Sequence, residues 1–115
     1  MGELPPQIQN LAAQLQQVQQ QLQMIVAQKA QLDSLIKESK DALEELQKSE
    51  GEFAFKAVGN VLVKLKKGDV EKDLKEKIET YEVRRNMLER QENKLREKFS
   101  ELQTKLKTSL NVQAG

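Results

Sequence analysis

One short stretch in the middle of the chain, residues 53–65, lacks the helical periodicity of the residues on either side. It contains two of the three phenylalanines and a dense run of β-branched valines. Gly59 and Asn60 separate its two apolar halves, and because both residue types tolerate positive φ, the pattern predicts a tight β-hairpin. An isolated two-stranded hairpin is marginally stable in water and leaves its strand edges open. We therefore expect other chains to supply the missing strands.

Apolar residues on both sides of this stretch recur every three or four positions, which is the heptad pattern of a coiled coil. Before the hairpin the seam consists of Ile8, Leu11, Leu15, Val18, Leu22, Ile25, Leu32, Ile36, Leu43 and Leu46. After the hairpin it consists of Leu74, Ile78, Tyr81, Leu88, Leu95, Phe99, Leu102 and Leu106. The two runs therefore predict two long helices that pack along one seam.

The predicted architecture is mainly α, with helices over residues 7–48 and 69–110 joined by a β-hairpin over residues 52–66. Because the hairpin reverses the chain, the helices should form an antiparallel coiled-coil hairpin within one domain, residues 1–115. Asp69 is expected to cap the second helix, and the tail after residue 110 is expected to fray.

Composition excludes several classes of function. The chain has no Cys and no His, which excludes a disulfide framework, thiolate metal sites and imidazole bases. With 3% aromatic and 32% charged residues, it suits a narrow helical seam better than a globular core. No secretory signal is recognisable, and no apolar run approaches the ~20 residues of a membrane-spanning helix. We expect a soluble, cytoplasmic protein without enzymatic activity, cofactor, metal site or membrane partner.

The hairpin sequence resembles a known family. Residues 55–64 read FKAVGNVLVK and are similar to the prefoldin signature YKxVGxVLV, with Phe55 where tyrosine is usual. A single hairpin between two long helices resembles the β-type subunit, since the α type has two hairpins. Leu74, Ile78, Tyr81 and residues 90–92 also match the family's second helix. The resemblance covers almost the whole chain.

This resemblance implies an ATP-independent chaperone, a hexamer of two α-type and four β-type subunits. In the family the hairpins assemble into a double β-barrel platform from which the coiled coils extend. The tips hold non-native polypeptides and pass them to a group II chaperonin. A lone β-type subunit suggests an archaeal source.

The hairpin is the first candidate contact site. A hairpin with one solvated face alternates apolar and polar residues, but this one has apolar residues on both faces. That pattern favours an intersubunit barrel over a private core against the helix ends. The predicted oligomer contacts are Phe53, Phe55, Val58, Val61, Leu62, Val63 and Leu65.

The far ends of both helices are the second candidate site, with predicted client contacts Leu4, Ile8, Leu11, Leu15, Leu102, Leu106, Leu110 and Val112. These residues could close the coiled coil against each other. Alternatively, terminal turns open easily, and apolar surface at an end is typical of a binding site. The pattern alone leaves both interpretations open, and the resemblance favours client binding by the outermost residues.

Polar residues interrupt both seams at Lys29, Ser39, Arg85 and Glu92, and we expect them to be structural. Matching the helices outward from the hairpin places Lys29 and Glu92 about one turn apart, so they could pair and fix the register.

Two other functions are compatible with a coiled coil. The chain could be a structural spacer or assembly adaptor without a client. It could also be a nucleic-acid-binding arm like that of seryl-tRNA synthetases, but such an arm needs a basic face. A net charge of +1 with mixed signs makes nucleic acid an unexpected partner.

Overall fold

Two long helices and a β-hairpin make up the described part of the chain. The structure is a computed structural model that describes the backbone of residues 4–114 and the side chains of residues 4–112. In chain order the elements are helix α1 (Pro6–Lys48), strand β1 (Phe53–Val58), strand β2 (Val61–Lys66) and helix α2 (Lys67–Ala114). The predicted domain also includes residues 1–3 and 115, which lie outside the described residues. The predicted architecture of two helices joined by a hairpin is confirmed.

Helix α1 begins at Pro6, one residue before the predicted start. Proline suits this position because the first backbone N–H groups of a helix have no partner within the helix. The Pro5 carbonyl accepts hydrogen bonds from the backbone N–H groups of Ile8 and Gln9, each at 3.0 Å. The Gln9 side-chain amide also donates to the Leu4 carbonyl at 2.7 Å. These bonds fix how the chain enters the helix.

Helix α1 ends at Lys48, where the heptad pattern also stops. The Ser49 hydroxyl donates to the Leu46 carbonyl at 2.8 Å, which satisfies one of the last carbonyls of the helix. Gly51 has a φ of 113°, a backbone conformation that residues other than glycine rarely adopt. The chain therefore leaves the helix sharply and enters β1.

The strands pair antiparallel from Phe53↔Lys66 to Val58↔Val61. Gly59 and Asn60 form the connection, and Gly59 has a φ of 61°, while Asn60 is not among the residues with positive φ. A two-residue loop with glycine in the left-handed region at its first position corresponds to a type II′ turn.

Helix α2 is longer at both ends than predicted. It begins at Lys67, so Gly68 and Asp69 lie in its first turn, and Asp69 does not precede the helix as a cap. The backbone N–H of Lys67 donates to the Glu52 carbonyl at 2.8 Å, which joins the strand directly to the helix. The helix continues to Ala114, because residues 111–114 contain neither Gly nor Pro to end it.

Contacts divide the chain into two compact units. The terminal unit combines Met1–Lys29 with Met87–Gly115, and the hairpin unit is Ala30–Asn86. The terminal unit combines the start of α1 with the end of α2, and the hairpin unit combines the end of α1 with the start of α2. Within each unit the two helices therefore run antiparallel. Seam residues form the buried core of the terminal unit, namely Ile8, Val18 and Leu102. The buried core of the hairpin unit is Ile36, Ala54 and Ile78. That the whole chain forms one domain stays a prediction.

Candidate functional site

The register of the hairpin determines which side chains share a face. Residues directly opposite each other in an antiparallel pair project to the same side of the sheet. One face, here called the Phe face, carries Phe53, Phe55, Ala57, Leu62, Lys64 and Lys66. The other, the Val face, carries Ala54, Lys56, Val58, Val61, Val63 and Leu65.

The Phe face is open to solvent although it carries the largest apolar side chains of the hairpin. Phe53, Phe55 and Leu62 are 50%, 65% and 68% exposed. The Lys64 ammonium lies 4.3 Å from the centre of the Phe53 ring, where a cation–π attraction operates. Exposed apolar patches of this kind are typical of interaction surfaces.

The solvent exposure of the Val face increases from the helix end of the hairpin to the turn. Ala54 is buried and Leu65 is half-buried, so this end of the face belongs to the core of the hairpin unit. Val58 and Val61, beside the turn, are 56% and 61% exposed. Of the seven predicted oligomer contacts, six are therefore exposed, and Leu65 packs largely within its own unit.

The hairpin also has open edges. Within residues 4–114, β1 and β2 pair with each other in a two-stranded sheet, so the outer edge of each strand has no strand beside it. Unpaired backbone N–H and C=O groups on an edge can bind a strand from another chain. Lys56 on β1 forms an ion pair with Asp73 of α2 at 3.3 Å, which links the hairpin to its helix.

The predicted client contacts in the terminal unit fall into three groups. Leu4, Leu110 and Val112 are exposed, at 53%, 42% and 72%. Leu11, Leu15 and Leu106 are half-buried. Ile8 and Leu102, at 3% and 5% exposure, fill the seam and are not accessible while the terminal turns stay closed. The structure thus brings the eight residues into one unit but exposes only the outermost.

A charged cluster interrupts the seam of the terminal unit. Lys29 donates to Glu92 Oε1 at 2.8 Å, which is the pair predicted from the sequence. Arg96 contacts the other carboxylate oxygen through Nε at 2.8 Å and Nη2 at 2.7 Å. Glu92 is only 8% exposed, and the hydrogen bonds from Lys29 and then Arg96 hold its pKa below the ordinary value. The Lys29–Glu92 pair links the two helices of the unit, and Arg96 supports it from within α2.

Sequence reasoning missed a shallow groove in the terminal unit, here called the Met24 groove. Its lining is Gln21, Met24, Ile25 and Gln28 of α1 with Gln91, Lys94 and Leu95 of α2. Met24 is 63% exposed, more than any other large apolar residue between positions 5 and 52. The signal was present, because Met24 lies beside the seam residue Ile25 within a glutamine-rich stretch.

Among the residues that the structure describes, no group of three or more acidic side chains is placed to hold a metal ion. None of the helices in this part of the chain has a stretch long and apolar enough to span a membrane.

Comparison with known proteins gives consistent matches. A family profile described as "Prefoldin subunit" matches residues 9–113. The prefoldin subunit beta of Archaeoglobus fulgidus is 60% identical over 116 aligned positions, covering 100% of both chains. That of Thermococcus onnurineus is 47% identical with the same coverage. The crystal structure of the prefoldin beta subunit from Thermococcus strain KS-1 superposes with a TM-score of 0.86 at 44% identity, covering 96% of this chain and 97% of that one.

Proposed function

Because this chain belongs to the prefoldin family as a β-type subunit, we propose that it is one arm of an ATP-independent holdase. In this proposal the hairpin joins it to other subunits, and the helix ends hold non-native polypeptides for delivery to a group II chaperonin. The observation that carries the proposal is a hairpin with exposed apolar residues on both faces and two open edges. A chain that worked alone would leave this surface in water.

Assembly through the hairpin is energetically reasonable. Fully burying a Val, Leu or Phe side chain contributes about 1.5–3 kcal/mol, and six hairpin residues are 37–68% exposed. Their burial would contribute on the order of 5–10 kcal/mol per hairpin. Association costs about 4–15 kcal/mol, so strand pairing along both edges is needed to make the complex stable. We propose an intersubunit β-barrel in a complex of two α-type and four β-type subunits.

Client binding requires only weak contacts at each arm. Leu4, Leu110 and Val112 offer a small exposed apolar surface at the ends of the two helices. Several arms that act on one client raise the overall affinity through effective concentration, without nucleotide. Flexible aliphatic contacts discriminate poorly, so many unfolded polypeptides would bind. We place this activity in the cytoplasm, since a chain without cysteine suits a reducing compartment.

The first test is the mass of the assembly. We expect the chain mixed with an archaeal α-type prefoldin subunit to sediment as a hexamer. The complex should suppress aggregation of a chemically unfolded enzyme diluted from denaturant. Removing residues 1–10 and 107–115 should abolish the suppression and leave the hexamer intact. A chain that stays monomeric with its α-type companion, or a shortened complex with full suppression, would contradict the proposal.

One observation favours a second candidate, a structural arm without a client. Ile8 and Leu102 are buried, so the helix ends can close on themselves. A purely structural arm should assemble normally but show no suppression of aggregation at any ratio of complex to client. The aggregation measurement therefore separates the two functions.

A further inference from the structure

The Met24 groove is not explained by helix pairing. Ile25 and Leu95 belong to the seam, where each is half-buried against the facing helix. Met24 lies outside the seam positions, and 63% of its surface is exposed. Burying such a side chain in a partner stabilises binding, and its flexible, polarisable thioether adapts to many shapes. The floor of the groove therefore has free apolar surface.

The rim of the groove is made of amides. Gln21 and Gln28 lie about one helical turn before and after Met24 on α1, and Gln91 lines the groove from α2. A glutamine side chain carries both donors and an acceptor, as a peptide group does. A polypeptide in extended form has unpaired backbone groups that can exchange their hydrogen bonds with water for bonds to these amides. A folded segment has already used those groups.

Charge narrows the occupant further. The first part of α1, residues 6–28, contains no charged residue. Lys94 is the one charged side chain among the residues that line the groove. A basic segment would lose hydration there and meet Lys94 without a carboxylate to pair with. The lining therefore complements an uncharged segment best, an acidic one less well and a basic one least.

We infer that the Met24 groove is a second client site on the arm, for an uncharged, apolar segment of a non-native polypeptide in extended form. The inference deepens the proposed function and rests on it. Gln21 and Gln28 lie about 10 Å apart along the helix, which an extended chain spans with about three residues. So small a contact is weak alone, but it lengthens the surface on which one client can be held.

The test compares two matched variants in the complex assembled with the α-type subunit. Met24→Glu places a carboxylate in the groove, whereas Val26→Glu places one on the same helix at a residue that is 44% exposed and does not line the groove. The probe is a fluorescent, unstructured 12-residue peptide of Leu, Val, Asn and Gly, with binding followed by anisotropy. We expect Met24→Glu to weaken binding about fivefold to tenfold, and Val26→Glu to change it less than about twofold.

Peptides in which two Asn residues are replaced by Asp or by Lys test the charge argument. Affinity should fall from the neutral to the acidic and then to the basic peptide. A basic peptide that binds best would overturn the inference. So would Met24→Glu that lowers the mass of the complex in sedimentation, since the groove would then be covered by another subunit.

The remaining outcomes separate this inference from the proposed function. If Met24→Glu binds the peptide as the unsubstituted complex does, while Val112→Asp loses binding, the groove is not a client site and the proposed function stands. If no complex binds the peptide or suppresses aggregation, the proposed function fails and the inference fails with it.

Discussion

Replacing Val61 with aspartate should separate assembly from folding. Val61 lies beside the turn on the Val face, and 61% of its surface is exposed. The chain itself gains little from this side chain, so the free energy of unfolding of its helices should change by less than about 0.5 kcal/mol. In an intersubunit sheet the same residue would become buried.

The loss on assembly follows from two contributions. Burying the exposed part of a valine contributes about 1–2 kcal/mol, which the variant loses. A carboxylate that leaves water without a partner adds a penalty of at least a few kcal/mol unless it becomes protonated. A total of about 3 kcal/mol or more at each contact weakens association at least about a hundredfold.

The assay is sedimentation velocity of Val61→Asp with the α-type subunit over a range of concentrations, with circular dichroism to report helix content. Val83→Asp is the matched control, since Val83 is 55% exposed on α2 within the same unit. We expect Val61→Asp to sediment as smaller species with unchanged helix content, and Val83→Asp to assemble. Equal masses for both variants would refute the role given to the hairpin.

Three further predictions concern stability. Gly59→Ala should cost about 1–2 kcal/mol because φ there is 61°, whereas helical Gly68→Ala should stabilise by up to about 1 kcal/mol; thermal unfolding measures both. The pKa of Glu92 is lowered in the folded chain, so the ionised side chain stabilises the fold at pH values above its unfolded pKa of about 4.3. This stabilisation is lost as the pH falls through the native pKa. Glu92→Gln should therefore reduce the loss of stability between about pH 5 and 3, measured by urea titration. Leu102→Ala should lower the free energy of unfolding in urea by about 2–3 kcal/mol and leave client binding unchanged, since Leu102 is 5% exposed. Val112→Ala should leave the free energy of unfolding nearly unchanged and weaken client binding, since Val112 is 72% exposed.

Most of the fold could be predicted from the sequence because two local signals are strong. The heptad seams and the Gly59–Asn60 turn specify the order helix, hairpin, helix, and the sequence motif of the hairpin indicated the family. The start of α2 was missed, since Gly68 and Asp69 are typical of a break and a cap. The bond from the Lys67 N–H to the Glu52 carbonyl decides that boundary, and a contact so distant in sequence is not visible in local propensity.

The candidate sites could be predicted only in part, because periodicity says which residues lie on the seam and not how far a partner covers them. Leu65 lies on the same face of the hairpin as Val61 and Val63. It is half-buried while they are exposed, because this face is covered near the helices and open near the turn. The partner of Arg85 is another example: its guanidinium bonds Asp33 at 2.6 Å, and neither residue alone indicates the other.

The predicted client contacts include two kinds of residue, and the heptad count separates them. Ile8 and Leu102 are seam positions, and both are buried because the two helices of the terminal unit pack along the seam. Continuing the count beyond Leu106 reaches Ser109, so Leu110 and Val112 fall off the seam, as Met24 does beside Ile25. The terminal unit gains little stability from such residues, since helix pairing leaves them 42–72% exposed. Apolar surface that pairing leaves exposed stays accessible while the seam is closed, which is what the proposed client binding requires.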